Sequence, residues 1–290
     1  MSIPRAHAAA LELLFEFAGI AEVVSRRFLV NGGDPELMGN TTVAALLNLR
    51  LRGPLRPTQV RLETGLTAGG LSALLDRMQA TGLVTRAVGP VNGDRRATLV
   101  VPTDAGLAAA GTHAQAVLDT IGAVVAGLTR MLGLVDVATA VVPQAVAGVG
   151  DEDPLEAAMR YHLAMAGLGH QLLTIYRGEA DGELVDNLST IVVAQLHLHG
   201  AMRAGQPRRH TGVTTGGNTK LLDRLEQAGL IARVLGPVNG DRRAVSIVLT
   251  VKGRAFAGQL AEGAIGHMAV VRATILEALS HASRARPSTP

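Results

Sequence analysis

The chain has 290 residues, 48% of them apolar, with no Cys, no Trp, two Tyr, four Phe and a formal net charge of +3. This length supports two domains with cores of their own, and the apolar content excludes a disordered chain. The lack of Cys excludes disulfides, Cys-ligated zinc and a thiol switch; Glu12 and Glu16 break any signal-peptide pattern, and no uncharged apolar run reaches about 18 residues, so a cytoplasmic protein without a membrane span is expected.

In chain order, residues 6–29 read as a helix. Leu13, Leu14, Phe17, Ile20, Ala21, Val24 and Phe28 recur at helical spacing, with Glu12, Glu16, Glu22 and Arg26 on the other side. Asn31-Gly32-Gly33-Asp34-Pro35 ends it. A second helix is expected over 41–51, stopping at Gly53-Pro54, and a short one over 57–64, closed by Gly65. Thr67 is placed to cap a helix over 68–80. Leu71, Leu74, Leu75 and Met78 form its buried stripe, and Ala68, Gly69, Ser72, Ala73, Asp76 and Arg77 face away. Helix, glycine-containing turn and helix make a helix-turn-helix. Strand-like runs follow at Leu83–Val88 and Ala97–Val101, joined by a Gly/Pro/Asn/Asp loop that reads as a hairpin tip. A strand pair directly after a helix-turn-helix is a winged helix. Thr103-Asp104 then caps a long helical region over 104–133, and residues 134–153 read as a connection with room for one short helix inside it.

The second half follows the same plan because the sequence repeats. Gly-Pro-Val-Asn-Gly-Asp-Arg-Arg-Ala at 89–97 returns letter for letter at 236–244, an offset of 147 (89 to 236). The alignment runs without a gap from Asn40 and Asn187 to Gly111 and Gly258. A period that long is a domain, not a solenoid repeat. Helices are expected over 154–177, 183–199, 215–228 and 251–282, with a degraded element at 205–211 and strands near 230–235 and 244–249. The fold class is mainly α with small β-wings. Residues 1–135 form the first winged-helix copy, 136–152 a linker and 153–290 the second copy.

At 66–84 the chain reads Leu-Thr-x-Gly-Gly-x-x-x-Leu-Leu-Asp-Arg-Met-x-x-x-Gly-Leu-Val, continued by Gly-Asp-Arg-Arg-Ala at 93–97 and Thr-x-x-Gly at 103–106. With the repeats at 213–231, 240–244 and 250–253, this resembles the MarR-type winged helix-turn-helix transcriptional regulators, written twice in one chain. Such regulators are homodimers whose terminal helices interlock and whose recognition helices enter successive major grooves. The resemblance therefore implies tandem winged-helix domains forming an intramolecular pseudo-dimer. The implied function is a DNA-binding regulator, a repressor, on a pseudo-palindromic or asymmetric operator, with double-stranded DNA and a small aromatic effector as partners. The alternative is a ligand-binding or protein-interaction module that has lost operator binding.

The family pattern Asp-x-Arg maps onto Asp94 with Arg96 and Asp241 with Arg243. There the Arg enters a minor groove of high negative potential, while Arg95 and Arg242 reach phosphate. The competing reading is an Asp–Arg pair that only stabilises a turn. On the first recognition helix Thr67, Ala68, Ser72 and Ala73 are small enough for close approach to DNA, followed by Arg77. The second offers Thr214, Thr215, Thr219, Lys220 and Arg224. Arg77 and Arg224 could equally form surface ion pairs. Only Lys220 and Lys252 are Lys among 27 basic residues. Arg suits phosphate and base edges, although a GC-rich genome gives the same bias.

The two halves differ: Leu71 becomes Asn218, Val60 becomes Pro207, and Arg61-Leu62-Glu63 becomes Arg208-Arg209-His210. The second half then either reads a different half-site or relies on its wing alone. For an effector, the family's cleft between the interface helices and the winged domain points to Phe15, Phe28, Arg160, Tyr161, His162 and Tyr176, each of which also suits core packing. His197 and His199 point apart on a helix, and His113, His162, His170 and His267 are scattered, so no metal site is expected. No cofactor loop or catalytic constellation stands out, and the reading is of a non-enzyme.

Overall fold

A computed structural model describes residues 3–34, 40–64, 66, 68–91, 94–139, 152–178, 187–207, 215–235 and 245–285. The first half contains α1 (Arg5–Val30), α2 (Asn40–Arg52), α3 (Pro57–Thr64), α4 (Ala68–Ala80), β1 (Val84–Val91), β2 (Asp94–Pro102), α5 (Asp104–Asp119) and α6 (Ile121–Thr139). The second contains α7 (Pro154–Gly178), α8 (Asn187–His199), β3 (Met202–Arg203), α9 (Thr215–Gln227), β4 (Ile231–Leu235), β5 (Val245–Leu249), α10 (Val251–Gly266) and α11 (Met268–Arg284). The architecture is mainly helical with two small antiparallel sheets, β1-β2 and β3-β5-β4.

Local chemistry sets the boundaries. Gly32, Gly53, Gly82, Gly200 and Gly229 all have positive φ, between 71° and 83°, and each follows a helix. Only glycine takes that turn without steric cost. Thr103 caps α5 by accepting from Gly106 N at 3.1 Å, while its hydroxyl donates to Gly82 O at 2.6 Å. Thr250 does the same at the start of α10, with Gly253 N at 3.0 Å and Gly229 O at 2.6 Å. A Cβ on Gly106 would stand 2.1 Å from Leu83 O, and one on Gly253 2.0 Å from Leu230 O. Both glycines therefore let the helix lie directly against the residue that leads into the first strand of the sheet, Leu83 before β1 and Leu230 before β4.

Four sequence expectations need correction. The long helical region expected over 104–133 is two helices, broken at Thr120 (φ −112°, ψ 8°), and the helix over 251–282 breaks at His267 (φ −110°, ψ 3°). At both breaks a side chain bonds the carbonyl four residues back, Thr120 Oγ1 to Ala116 O at 2.7 Å and His267 Nδ1 with Gly263 O at 2.9 Å. Thr112 and Thr129 make the same bond inside unbroken α5 and α6, so it accompanies the breaks without being sufficient for them. The stretch read as a connection from 134 is helical as far as Thr139. The first wing's strands also reach past the expected loop ends, to Val91 and from Asp94. The ladder runs from Val84↔Pro102 to Gly89↔Ala97, shifts register, and resumes at Val91↔Asp94. Pro90, at the shift, has no N–H to give the ladder.

The chain divides into two compact units. The first comprises residues 1–19, 130–144 and 171–272, and the second 20–129, 145–170 and 273–290. Each unit thus draws on both halves of the sequence. In the first unit Leu221, Leu222, Leu225, Ile247 and Leu260 are core residues; in the second they are Phe28, Leu47, Leu74, Met78 and Val117. Helix α6 has the length and composition of a membrane span. It nevertheless carries Arg130, bonded to Glu16 at 2.9 Å, and buried Asp136, bonded to Arg272 at 2.8 Å. Charges so paired belong to a helix packed against protein.

Candidate nucleic-acid interface

In the first half, α3, the turn and α4 form the helix-turn-helix. Leu71, Leu74, Leu75 and Met78 are buried, while Ala68, Gly69, Ser72, Ala73, Asp76 and Arg77 are exposed. Arg77 pairs with no described residue. The outward face is small and nearly uncharged up to its last turn, so a nucleic-acid backbone can approach it closely. Arg86 on β1 bonds Asp76 on α4 at 2.7 Å, which fixes the wing against the exposed helix. Leu55 forms an antiparallel bridge with Val100, giving the wing a third, minimal strand.

Asp94, Arg95 and Arg96 are the first three residues of β2, at the end of the wing farthest from the helices. They are strand residues beside Asn92-Gly93, not part of a longer loop. Only their backbone is described, as for Thr215 and Tyr176. Thr67, Thr214, Asp241, Arg242 and Arg243 lie outside the described residues.

The same geometry recurs 147 residues later with defined differences. Arg233 bonds Asp223 at 2.6 Å and also Glu226, the counterpart of the Arg86–Asp76 pair. Met202 and Arg203 pair with Ile247 and Ser246, where the first half has the Leu55–Val100 bridge. Gln206 Oε1 accepts from Arg203 N at 2.5 Å, as Gln59 Oε1 accepts from Arg56 N at 2.8 Å. The next residue differs. Val60 N donates to Arg56 O at 3.1 Å, a bond that Pro207 cannot make. Pro207 is nonetheless buried, like Val60. Buried Asn218, in Leu71's place, donates to Ala204 O at 2.9 Å and ties α9 to that turn. Thr219 and Lys220 are exposed on α9. Arg224 is held differently from Arg77, since its guanidinium donates to Ser189 Oγ on α8 at 3.0 Å.

The effector candidates separate in the same way. Phe28, Tyr161 and His162 come together in the second unit around a cavity of about 40 Å³, also lined by Ile20, Val24, Met165 and His113. His113 Nε2 and His162 Nδ1 are 2.9 Å apart, and the rings meet edge to face. Burial lowers the His113 pKa to about 4. Burial, and secondarily the His113 charge, hold that of His162 well below its usual value. Burial also raises the Tyr161 hydroxyl far above its normal range. Arg160 points elsewhere, bonding Glu152 at 2.6 Å and approaching Glu156 at 3.6 Å. Phe15 belongs to the first unit and does not line the cavity. His113 was missed as a site residue. Its one sequence signal was a polar ring among the small apolar residues Ala110, Ala114, Ala116 and Val117.

Helix, turn, helix and paired β-ribbon over residues 40–102 define a winged helix. Residues 38–97, from before α2 to the fourth residue of β2, match the MarR family. An uncharacterized HTH-type transcriptional regulator of Bacillus subtilis (strain 168), YcgE, is 49% identical over 55 residues. That is 19% of this chain and 35% of the relative, so the chain matches about a third of that protein's length. The chain therefore carries a MarR family domain at 38–97, and both similarities point to DNA-binding regulators of transcription.

Proposed function

We propose that this protein is a DNA-binding transcriptional repressor in which two winged helices, fused in one chain, act as a pseudo-dimer on one operator. The carrying observation is the exposed, small-residue face of α4 beside a basic wing, within the segment that matches the MarR family. Residues 1–135 form the first copy and 153–290 the second, joined by 136–152. Support for the second copy comes from the recurrence of the Gly82, Thr103, Gly106 and Arg86–Asp76 features at Gly229, Thr250, Gly253 and Arg233–Asp223. Support for a pseudo-dimer comes from the two compact units, each of which takes residues from both copies. Arg96 and Arg243 enter minor grooves, oriented by Asp94 and Asp241, and Arg95 and Arg242 meet phosphate. The copies differ at α9, where Thr219 and Lys220 stand in place of Ser72 and Ala73, so the operator has unlike half-sites. A small molecule in the cavity beside Phe28, Tyr161 and His162 modulates binding, and the protein works in the cytoplasm.

The test is a salt series of binding to DNA flanking the protein's own coding region, against random DNA. One chain per site, sequence preference and a steep fall of affinity with salt are the expected results. Arg96→Ala and Arg243→Ala should each weaken specific binding by roughly 1–3 kcal/mol. Equal, weak binding to both DNAs would instead favour a MarR-fold ligand or protein-interaction module, to which the Pro207 turn lends some support.

A further inference from the structure

The paired imidazoles of His113 and His162 present unspent hydrogen-bonding capacity. Their mutual bond joins His113 Nε2 and His162 Nδ1. His113 Nδ1 and His162 Nε2 are buried and have no partner among the described residues. Two neutral imidazoles carry two N–H groups between them, and the mutual bond uses one. One outer nitrogen is then a donor and the other a bare acceptor. Moving both protons together along the pair exchanges these roles. Unpaired polar atoms of this kind are costly to bury unless something occupies the space beside them.

The repeat supplies a built-in comparison. At the offset of 147, the counterparts of Tyr161, His162 and His113 are Leu14, Phe15 and Leu260. All three lie in the first unit, and Leu14 and Leu260 are buried there. Hydrocarbon thus stands where the second unit has two imidazoles and a phenol. We infer that the chain binds one small uncharged hydroxyl compound, at the His113–His162 pair of the second unit and not at the corresponding place in the first. This deepens the effector part of the proposed function and rests on that reading for its purpose.

The ligand class follows from charge and size. A hydroxyl both gives and accepts a hydrogen bond, so it satisfies either outer nitrogen in either tautomer. A buried carboxylate would need a protonated imidazole beside it. With the His113 pKa at about 4, roughly one molecule in a thousand carries that charge at pH 7. Among the described residues, no Asp, Glu, Lys or Arg lines the cavity. On α7, Arg160 is paired with Glu152, and Tyr161 is held neutral by burial. On α1, Glu22 and Arg26 pair with each other, and on α5 Asp119 is bonded to Gln115 and Asn31. Ile20, Val24, Phe28 and Met165 supply an apolar wall. A cavity of about 40 Å³ holds the equivalent of about three waters, so the ligand is a compound of few heavy atoms.

The experiment titrates the full chain, without DNA, with 1-butanol, butyrate and 1-butylammonium at pH 7. Calorimetry gives stoichiometry, and the ¹⁵N resonances of His162 give location. Saturable binding of one 1-butanol per chain, with His162 perturbed and both ions at least tenfold weaker, is the expected result. The double substitution His113→Leu with His162→Phe, which copies the first unit, should reduce 1-butanol affinity at least tenfold in a chain of unchanged helix content. Two molecules per chain, equal binding of butyrate, or an unperturbed His162 overturns the inference. The ranking of the three compounds on the unmodified chain decides it even if the double variant does not fold. If 1-butanol binds as expected but leaves DNA affinity unchanged, the site stands and its regulatory role falls.

Discussion

A single hydrogen atom in place of a methyl decides how α5 and α10 are mounted. Gly106 and Gly253 are helical, and a helical Gly→Ala change ordinarily stabilises by roughly 0.5–1 kcal/mol. At Gly106 the new methyl would meet the Leu83 carbonyl at 2.1 Å, a backbone atom that cannot swing aside. Gly106→Ala is therefore expected to cost about 2–3 kcal/mol in urea unfolding. Gly122→Ala, with nothing within 4 Å of its added carbon, should carry the opposite sign. The imidazole pair makes a second test at this scale. Folding lowers the His113 pKa from 6.5 to about 4, so between those values the unfolded chain binds more protons. The stabilisation is complete above pH 6.5 and is lost as pH falls toward 4, by about 3 kcal/mol for His113, with His162 adding in the same direction. The His113→Leu and His162→Phe double variant should flatten that slope in denaturation curves recorded between pH 7 and pH 4.

At the scale of elements, the turn that ends at Pro207 shows how a proline is accommodated. Pro207 takes the buried place of Val60 but cannot donate the bond that Val60 makes to Arg56. Asn218 reaches into the turn and donates to Ala204 O. Asn218→Ala is expected to cost about 1–3 kcal/mol, because the carbonyl loses its donor. Leu71→Ala, at the matched position, should cost about 2–5 kcal/mol by leaving a cavity instead. Much of this level could be read from the chain. The stripe Leu71, Leu74, Leu75, Met78 fixed α4, and Gly53, Gly65 and Gly82 marked the ends of α2, α3 and α4. The breaks at Thr120 and His267 were not legible, because an apolar period of 3.6 runs straight through them. A side-chain bond to a carbonyl four residues back accompanies each break, but Thr112 and Thr129 make the same bond inside unbroken helix, so no residue pattern announces the break. The meeting of His113 with His162 was equally hidden, since no local pattern links residues on α5 and α7. Arg224 illustrates a third limit: its partner is a serine on another helix, not the acid that a charge pattern would suggest.

At the scale of the molecule, the compact units do not coincide with the halves of the sequence. The second unit needs residues 145–170 and 273–290 to complete the core around 20–129. A fragment ending at residue 143 lacks Tyr161 and His162, which are buried against the residues it keeps. Such a fragment is expected to be aggregation-prone alone and to recover cooperative thermal unfolding when co-expressed with residues 144–290. Independent, fully cooperative unfolding of either fragment would show that the interleaving is dispensable. The proposed pseudo-dimer predicts that DNA binding by the intact chain shows no dependence on a monomer–dimer equilibrium, since its two recognition elements would be covalently joined.

The interleaving also sets a timetable for synthesis. Helices α2 to α5 and the first wing are contiguous and can form as soon as they leave the ribosome. The second unit stays unfinished until its last segment, after residue 272, is made. The stretch of 102 residues between His170 and Ala273 takes roughly 5–20 s to translate. During that interval residues 20–129 and 145–170 wait for the segment 273–290 that completes their unit. This protein should therefore draw on chaperones more than a chain whose domains close one after the other.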